Sequence, residues 1–139
     1  MSLLDAVTAR LLADPQFAGP QGKRIGATRR FAALPSTALQ TITARRDEHY
    51  KGPQASEDGV QLDIWAPTEA LASSLRDRAI TVLRPAGVFA GIRFRRALIT
   101  NIRSGAEQGQ GPQEAALNAR LAPEIYRASI DFLFTYTPA

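Results

Sequence analysis

Residues 60–71, VQLDIWAPTEAL, join a strand-like segment to the start of a helix. Apolar residues alternate with polar or aromatic ones before Ala66-Pro67, which is typical of a strand with one buried face. The buried face is predicted to carry Val60, Leu62 and Ile64, with Gln61, Asp63 and Trp65 on the other face. Thr68 is a suitable N-cap for the helix that follows. The junction holds no Ser, His or Cys nucleophile and no glycine loop. We therefore expect it to lift the chain off a sheet so that the helix lies across the apolar face.

The composition is typical of a soluble globular protein. The chain has 139 residues, of which 45% are hydrophobic and 22% charged, and this length predicts a single domain over residues 1–139. It contains no cysteine, which excludes disulfides and thiolate zinc sites. No apolar run approaches the roughly 18 residues that span a bilayer, and no basic leader surrounds Asp5. We expect no membrane association, no secretory signal and folding in the cytosol.

The charges are segregated along the chain, although the net charge is only +4. Residues 10–46 hold seven basic residues and one acidic residue, residues 47–75 hold six acidic and one basic, and residues 76–103 hold seven basic and one acidic. Such alternation suits subunits that meet through opposite patches. It also fits a loosely nucleic-acid-binding surface, or solvated faces that only keep the protein soluble.

Local patterns predict two helices and four strands. Ser2 and Asp5 form a capping box for a helix that runs to Ala13 and stops before Pro15. Residues 14–36 are predicted to be a long connection, with a short extended piece at residues 23–25. Residues 38–50 and 56–65 form a hairpin with its turn at residues 51–54, and the second helix runs from Thr68 to Pro85, with Gly87 in the turn that follows.

Two further strands complete the predicted sheet. One face of the third strand is expected to carry Ile92, Phe94, Leu98, Thr100 and Ile102, with Arg96 interrupting it. The last strand has the clearest alternation, with an apolar face made of Tyr126, Ala128, Ile130, Phe132, Phe134 and Tyr136. The predicted fold is α+β: an antiparallel four-stranded sheet with two helices on one face, in the order α-β-β-α-β-β, with long loops at 14–36 and 104–121.

The sequence contains few residues suited to catalysis or to metal binding. His49 is the only histidine, which excludes a multi-histidine metal site, and its place in a polar, charged hairpin favours a solvated residue over the base of a catalytic triad. The pairs Asp47/Glu48 and Glu57/Asp58 would face each other across the hairpin and hold a hard cation, but solvated carboxylates are the favoured interpretation. The glycines at 105, 109 and 111 lack the Lys-Ser/Thr pair of a phosphate loop. We expect no enzyme activity, no cofactor and no metal.

Interaction surfaces are better supported. Trp65 is a stacking platform for nucleic acid or, preferably, packs the strand-to-helix corner. Arg93 and Arg95 project opposite Phe94, towards phosphates, a neighbouring subunit's acids or water, and the neighbour is favoured. The loop from Ser104 to Leu121 is predicted to order against a neighbouring subunit, with the hairpin tip at Lys51 as the competing docking segment. The hypothesised subunit interface comprises Arg45, Arg46, Asp47, Glu48, Lys51, Arg93, Arg95, Gln108, Gln110, Gln113 and Glu114.

Five segments in order give the chain a family resemblance: LLDAVTARLLAD, LPSTALQTITARRDEHY, VQLDIWAPTEALASSL, GIRFRRALITNIR and EIYRASIDFLFTYTP. The most telling are the Q-x-D-x-W-A strand end and the Y-R-x-S-x-D-F of the last strand. Together they resemble the tail terminator, or tail completion, family of long-tailed bacteriophages and gene transfer particles. The resemblance covers nearly the whole chain and rests on the order of the segments more than on any single motif.

The resemblance implies a small α+β subunit that forms a homohexameric ring on the head-proximal end of the tail tube. Such a ring stops tube polymerisation and presents the surface that the head connector or stopper binds, while DNA passes through its lumen without specific binding. It implies a virion protein, assembled in the host cytoplasm, with no catalytic residues. The alternatives are another head–tail joining protein (a stopper or a tube subunit) and a small basic nucleic-acid-binding module.

Overall fold

The structure, a computed structural model, describes residues 2–22, 24–27, 33–49, 52–107 and 125–138; within these, the side chains of 27, 44–49, 52–55, 106 and 107 are not described. The helices are α1 (Leu3–Ala13), α2 (Pro15–Ala18) and α3 (Glu69–Leu83), with a 3₁₀ turn at Gly19–Gln21. The strands are β1 (Ile25–Ala27), β2 (Ser36–His49), β3 (Gly52–Ala66), β4 (Gly87–Phe89), β5 (Ile92–Phe94), β6 (Leu98–Glu107) and β7 (Ile125–Pro138). None of the described helices has the length and apolar character needed to cross a membrane.

The strands form one mixed sheet that curls into a half-barrel. Its order is β1-β2-β3-β7-β5-β4, and β6 pairs with β7 beside β5. Strand β1 runs parallel to β2, while the other pairs are antiparallel. The predicted four-stranded antiparallel sheet with two helices is therefore wrong: the described residues contain seven strands and three α-helices.

The segment 14–36, predicted to be a long connection with a short extended piece at residues 23–25, supplies two of the four additional elements, α2 and β1. Asp14 ends α1 and its side chain accepts a hydrogen bond from the Phe17 backbone N–H at 2.9 Å, so it caps α2 directly. Pro15 stops the first helix and begins the second, because a missing N–H costs nothing in the first turn. The chain then adds β1 to the edge of β2. Short elements of this kind depend on tertiary partners, which local periodicity does not reveal.

Helices α1 and α3 bury their apolar stripes against the same face of the sheet. The capping box of Ser2 and Asp5 and the Thr68 cap are confirmed. The predicted alternation in β3 is confirmed as well, because Val60, Leu62 and Ile64 are buried while the residues between them are half-buried. Buried residues of the helices and strands join in one core: Leu3, Val7 and Leu11 from α1, Leu75, Ala79 and Leu83 from α3, and Ile130, Phe132 and Phe134 from β7.

The predicted third strand is two strands, and the proposed common face is wrong. Residues 95–97 separate β5 from β6, and a register shift follows between Ile99 and Asn101. Leu98 consequently pairs with Leu133 on the outer face, whereas Ile102 pairs with Ile130 on the core side. A bulge reverses the alternation of side chains, which sequence periodicity does not show. Both residues remain exposed, Leu98 by 60% and Ile102 by 45%. Gly87, predicted to form a turn, lies in β4.

Candidate subunit interface

The β2–β3 hairpin extends beyond its neighbour β7. Strand β3 pairs with β7 only as far as Ser56, opposite Tyr136, whereas its pairing with β2 continues to His49 opposite Gly52. The strand resumes at Gly52, inside the stretch 51–54 that was predicted to turn. Of the hypothesised interface residues, Asp47 and Glu48 lie on this outer part of β2, whereas Arg45 and Arg46 lie just before it, opposite Glu57 and Ser56; the side chains of all four are not described.

The register of the hairpin argues against a cation site, which was the less favoured alternative to solvated carboxylates. In the register of the hairpin Asp47 lies opposite Ala55 and Glu48 opposite Pro53, while Glu57 lies opposite Arg45. The two pairs of acidic residues are therefore displaced along the strands and are not opposite each other in the register of the hairpin. Within the described part of the chain, no group of three or more His, Cys, Asp or Glu residues is placed to hold a metal ion.

Arg93 and Arg95 are exposed, as the alternation around Phe94 predicts. Phe94 is 2% exposed and faces the core, so its neighbours point to the outer face of the sheet. Arg93 lies opposite Thr137 of β7, and the Arg95 backbone N–H donates to the Thr135 carbonyl at 2.9 Å. Neither guanidinium forms an ion pair with a described carboxylate. The remaining hypothesised interface residues, Lys51, Gln108, Gln110, Gln113 and Glu114, lie outside the described residues.

Two carboxylates on the outer face are fully engaged. Asp131 forms a bidentate ion pair with Arg103 at 2.9 and 3.1 Å, and this hydrogen bonding raises the pKa of the Arg103 guanidinium. Asp63 accepts hydrogen bonds from the Ser129 hydroxyl and from the Gln61 amide. Trp65 lies half-buried on the same face, two residues beyond Asp63 and opposite Arg127. These contacts test neither the corner-packing role favoured for Trp65 nor the alternative role as a stacking platform for nucleic acid.

A groove of about 440 Å³ lies on the core side of the sheet, at the end opposite Trp65. Its walls come from the first turn of α1, from β2 and β3, and from the ends of β5 and β7, and they include Leu4, Thr41, Ile92 and Tyr136. Asp58 also lines the groove and is only 6% exposed. The Tyr136 hydroxyl donates to its Oδ2 at 3.0 Å, whereas its Oδ1 is buried with no hydrogen-bond partner among the described residues.

Sequence reasoning missed Asp58 as an individual site. The residue was grouped with Glu57 in a solvated pair, yet it lies two positions before Val60 and therefore on the apolar face of β3. The alternation of β3 alone is therefore enough to show that Asp58 is an acidic residue on an otherwise apolar face. The groove could not be predicted in the same way, because it forms where α1 meets the ends of strands that are distant in sequence.

The last part of the predicted 104–121 loop lies outside the described residues, but its beginning does not. Ser104 to Glu107 belong to β6, and they pair with Ala128 to Ile125 of β7. The predicted loop therefore starts too early, because Gly105 sits within a strand.

Comparison with known proteins places the chain in a family. A family model described as "Tail completion protein gp17" matches residues 5–122. The chain belongs to this family. Members are structural virion tail proteins, which are not an enzyme class, and the protein is accordingly a structural component of a phage-type tail. This assignment confirms the resemblance seen in the sequence.

The fold has a counterpart in a solved particle. A chain from the structure titled "Virion of native gene transfer agent (GTA) particle" superposes with a TM-score of 0.68 at 14% sequence identity, covering 97% of this chain and 94% of that chain. At this identity the likeness establishes the fold. A search of curated protein sequences returns no significant match.

Proposed function

We propose that this tail completion protein forms a closed homohexameric ring at the head-proximal end of the tail tube. The ring ends tube polymerisation and presents the surface to which the head connector or stopper binds. The family match over residues 5–122 carries the proposal, because it assigns the chain to proteins that complete tails. The partners are then further copies of the chain, the tube protein and the connector, and DNA passes through the lumen without specific binding.

The geometry of the subunit supports a ring. Exposed arginines lie on the outer face of the sheet, and the groove with Asp58 lies on the core side of the same end. Contacts between two different surfaces of identical subunits are heterologous, and they produce rings when the rotation closes. The hairpin that extends beyond β7 is a separate surface, suited to contact with a neighbour along the tail axis.

A tube-length assay tests the proposal. The purified protein is added at substoichiometric amounts to polymerising tube protein, and tube lengths are measured by negative-stain electron microscopy. We expect shorter tubes, each carrying one extra ring at one end, and no filaments from the purified protein alone. Open filaments of the pure protein would instead indicate a tube subunit. A monomer in solution agrees with the proposal, since the tube end supplies contacts that order the ring.

Two further results would contradict the proposal. Binding to the connector but not to tube ends would indicate a stopper. Nanomolar, sequence-dependent affinity for duplex DNA at physiological salt, with a steep salt dependence, would indicate a nucleic-acid-binding module.

A further inference from the structure

Asp58 differs from the other described carboxylates of the sheet. Asp63 and Asp131 have donors for their oxygens on the outer face, whereas Asp58 lies on the core side with a single tyrosine hydroxyl as its donor. Its Oδ1 is buried without a partner among the described residues. A buried carboxylate costs free energy unless it is paired with a cation or saturated with hydrogen bonds. The residue is therefore incompletely satisfied in the isolated subunit.

We infer that the groove beside Asp58 receives an arginine side chain from a second copy of the chain, supplied by Arg93 or Arg95. The inference rests on the proposed function, since it names the contact that joins adjacent subunits of the ring. The bound guanidinium donates hydrogen bonds to the Asp58 carboxylate and neutralises its charge.

The lining of the groove suits arginine. Leu4 and Ile92 provide apolar surface for the methylene stem, and Thr41 and Asp58 provide oxygen acceptors for the planar head. Arginine presents several donors in a fixed fork that matches a carboxylate, which makes it the preferred cation for interface pairs. Arginine also predominates among the basic residues of the chain, accounting for 15 of the 17. The first turn of α1 forms one wall, where Ser2 is exposed and Leu4 half-buried, so the groove is open to solvent on this side.

The positions of the arginines favour a neighbouring subunit as their target. Arg93 and Arg95 lie at the same end of the sheet as the groove but on its opposite face, because Ile92 and Phe94 point to the core side. The sheet separates them from Asp58 of their own subunit. In a head-to-tail ring the outer face of one subunit meets the core-side groove of the next, which is the heterologous contact that closure requires.

A binding experiment tests the groove without reference to the ring. N-acetyl-arginine amide is titrated into the ¹⁵N-labelled protein, and the amide shifts of Gly91 and Ile92 are followed by NMR. We expect saturable shifts in the wild type and binding on the order of tenfold weaker in Asp58→Asn, which keeps the shape of the side chain and an acceptor for Tyr136. Asp77→Asn, at an exposed position on α3, is the matched control and should bind as the wild type does. Equal binding by Asp58→Asn overturns the inference.

An assembly experiment tests which side chain occupies the groove. Tube capping is compared for Asp58→Asn, for Arg93→Gln/Arg95→Gln and for the three changes combined, with Arg84→Gln as the exposed control. Loss of capping on the order of tenfold in each variant, with no further loss in the combination, supports a direct pair.

Normal capping by Asp58→Asn overturns the inference but leaves the proposed function standing. Impaired capping by Asp58→Asn with normal capping by the arginine variant excludes Arg93 and Arg95 as the source of the side chain, and so overturns the inference. If the wild type itself fails to cap tubes, the proposed function fails, and with it the assignment of the arginine to a ring neighbour.

A stability measurement separates this role from a structural one. Removing an unpaired buried charge should leave the melting temperature of the free Asp58→Asn subunit equal to or above that of the wild type. A melting temperature well below that of the wild type would show that Asp58 stabilises the subunit fold, and would overturn the inference.

Discussion

Arg10 is a cation buried beneath the β4–β5 hairpin. Its Nη2 donates to the Val82 carbonyl at 2.7 Å and to the Pro85 carbonyl at 3.3 Å, at the C-terminal end of α3 where unpaired carbonyls accumulate. Its guanidinium lies over the rings of Phe89 and Phe94, with centroid distances of 4.0 and 4.9 Å. Burial lowers the pKa of Arg10 to about 10, so the side chain remains charged at neutral pH.

Replacement of Arg10 separates its packing from its charge. We expect Arg10→Ala to lower the free energy of unfolding by about 3 kcal/mol, because it leaves a cavity and removes the donor to two carbonyls. Arg10→Met should cost only about 1 kcal/mol, since its long stem still fills the space under the aromatic rings. Urea denaturation at pH 7 measures both changes. Equal costs for the two variants would show that the charge, and not the packing, carries the effect.

Asp14 connects the α1–α2 junction to α3. It forms a bidentate ion pair with Arg78 at 2.7 and 2.8 Å and also caps α2. The hydrogen bonds from Arg78 lower the pKa of Asp14 below its usual 3.8. A lowered pKa stabilises the folded state at pH values above the unfolded pKa, and this contribution is lost as the pH falls through the folded pKa.

We therefore expect Asp14→Ala to cost about 1–2 kcal/mol at pH 7, a range already reduced for screening of the partly exposed Arg78. The difference from the wild type should shrink when unfolding is measured at pH 3 and below. The exposed pair Arg76–Asp77 provides the control, and Asp77→Ala should change stability by no more than about 0.5 kcal/mol. A cost for Asp14→Ala that did not change between pH 7 and pH 2 would rule out the ion pair as its source.

Gly59 in β3 is restricted to glycine by side chains of the neighbouring strand β2. It lies opposite Thr43, just past the register shift in β2, and its N–H donates to the Thr43 hydroxyl at 3.2 Å. An added Cβ would lie 2.6 Å from Thr43 Oγ1 and 3.2 Å from a carbon of Ile42. The bulge brings these side chains over the β3 backbone, so only glycine fits without movement.

Alanine substitutions at two strand glycines test this close approach. Gly59→Ala should destabilise the protein by about 1–3 kcal/mol, as expected for overpacking. Gly105→Ala in β6 should change stability by no more than about 0.5 kcal/mol, because an added Cβ there meets nothing within 4 Å. Adding Thr43→Ala to Gly59→Ala should recover part of the loss. Thermal unfolding measures all three variants, and equal effects at the two glycines would contradict the steric argument.

The elements that the sequence predicted correctly are those that local chemistry determines. The Ser2–Asp5 capping box, the Thr68 cap and the alternation of β3 and β7 each depend on residues within a few positions of one another. The other elements depend on pairing that periodicity does not show: β1, predicted only as an extended piece at residues 23–25, pairs with the edge of β2, and the three-residue strand β4 pairs with β5 directly after it in sequence. The bulge at Thr100 is visible only once β6 is aligned with β7.

In the candidate interface, too, the features set by local sequence were predicted and those set by distant contacts were not. Alternation around Phe94 predicted the exposure of Arg93 and Arg95 correctly. The groove at Asp58 was not predicted, because it forms where α1 meets the ends of strands that are distant in sequence. Whether these residues contact a neighbouring subunit stays a prediction.

At the level of the whole molecule, the structure changes how the two docking segments should be tested. Shortening residues 105–119 would remove strand pairs between β6 and β7, because the strand continues to Glu107. A loss of assembly in that variant would not distinguish a docking role from damage to the sheet. The hairpin is a better target, since its outer part has no pairing with β7 beyond Ser56.

We expect removal of the hairpin tip to spare the subunit but to impair assembly. Replacing residues 47–55 by Asn-Gly, a pair suited to a two-residue turn, keeps Arg46 opposite Ser56 and leaves every β3–β7 pair in place. The core residues nearest the cut belong to the retained part of β3, so the melting temperature should stay within a few degrees of the wild type. Tube capping and the joining of tails to heads should fall sharply, because the surface that extends along the tail axis is gone. A matched variant that keeps the hairpin length but carries Asp47→Asn/Glu48→Gln/Lys51→Gln, the charged residues removed with the tip, shows whether charge or reach is required. Particles that join and infect normally with the shortened hairpin would assign the docking role to another surface.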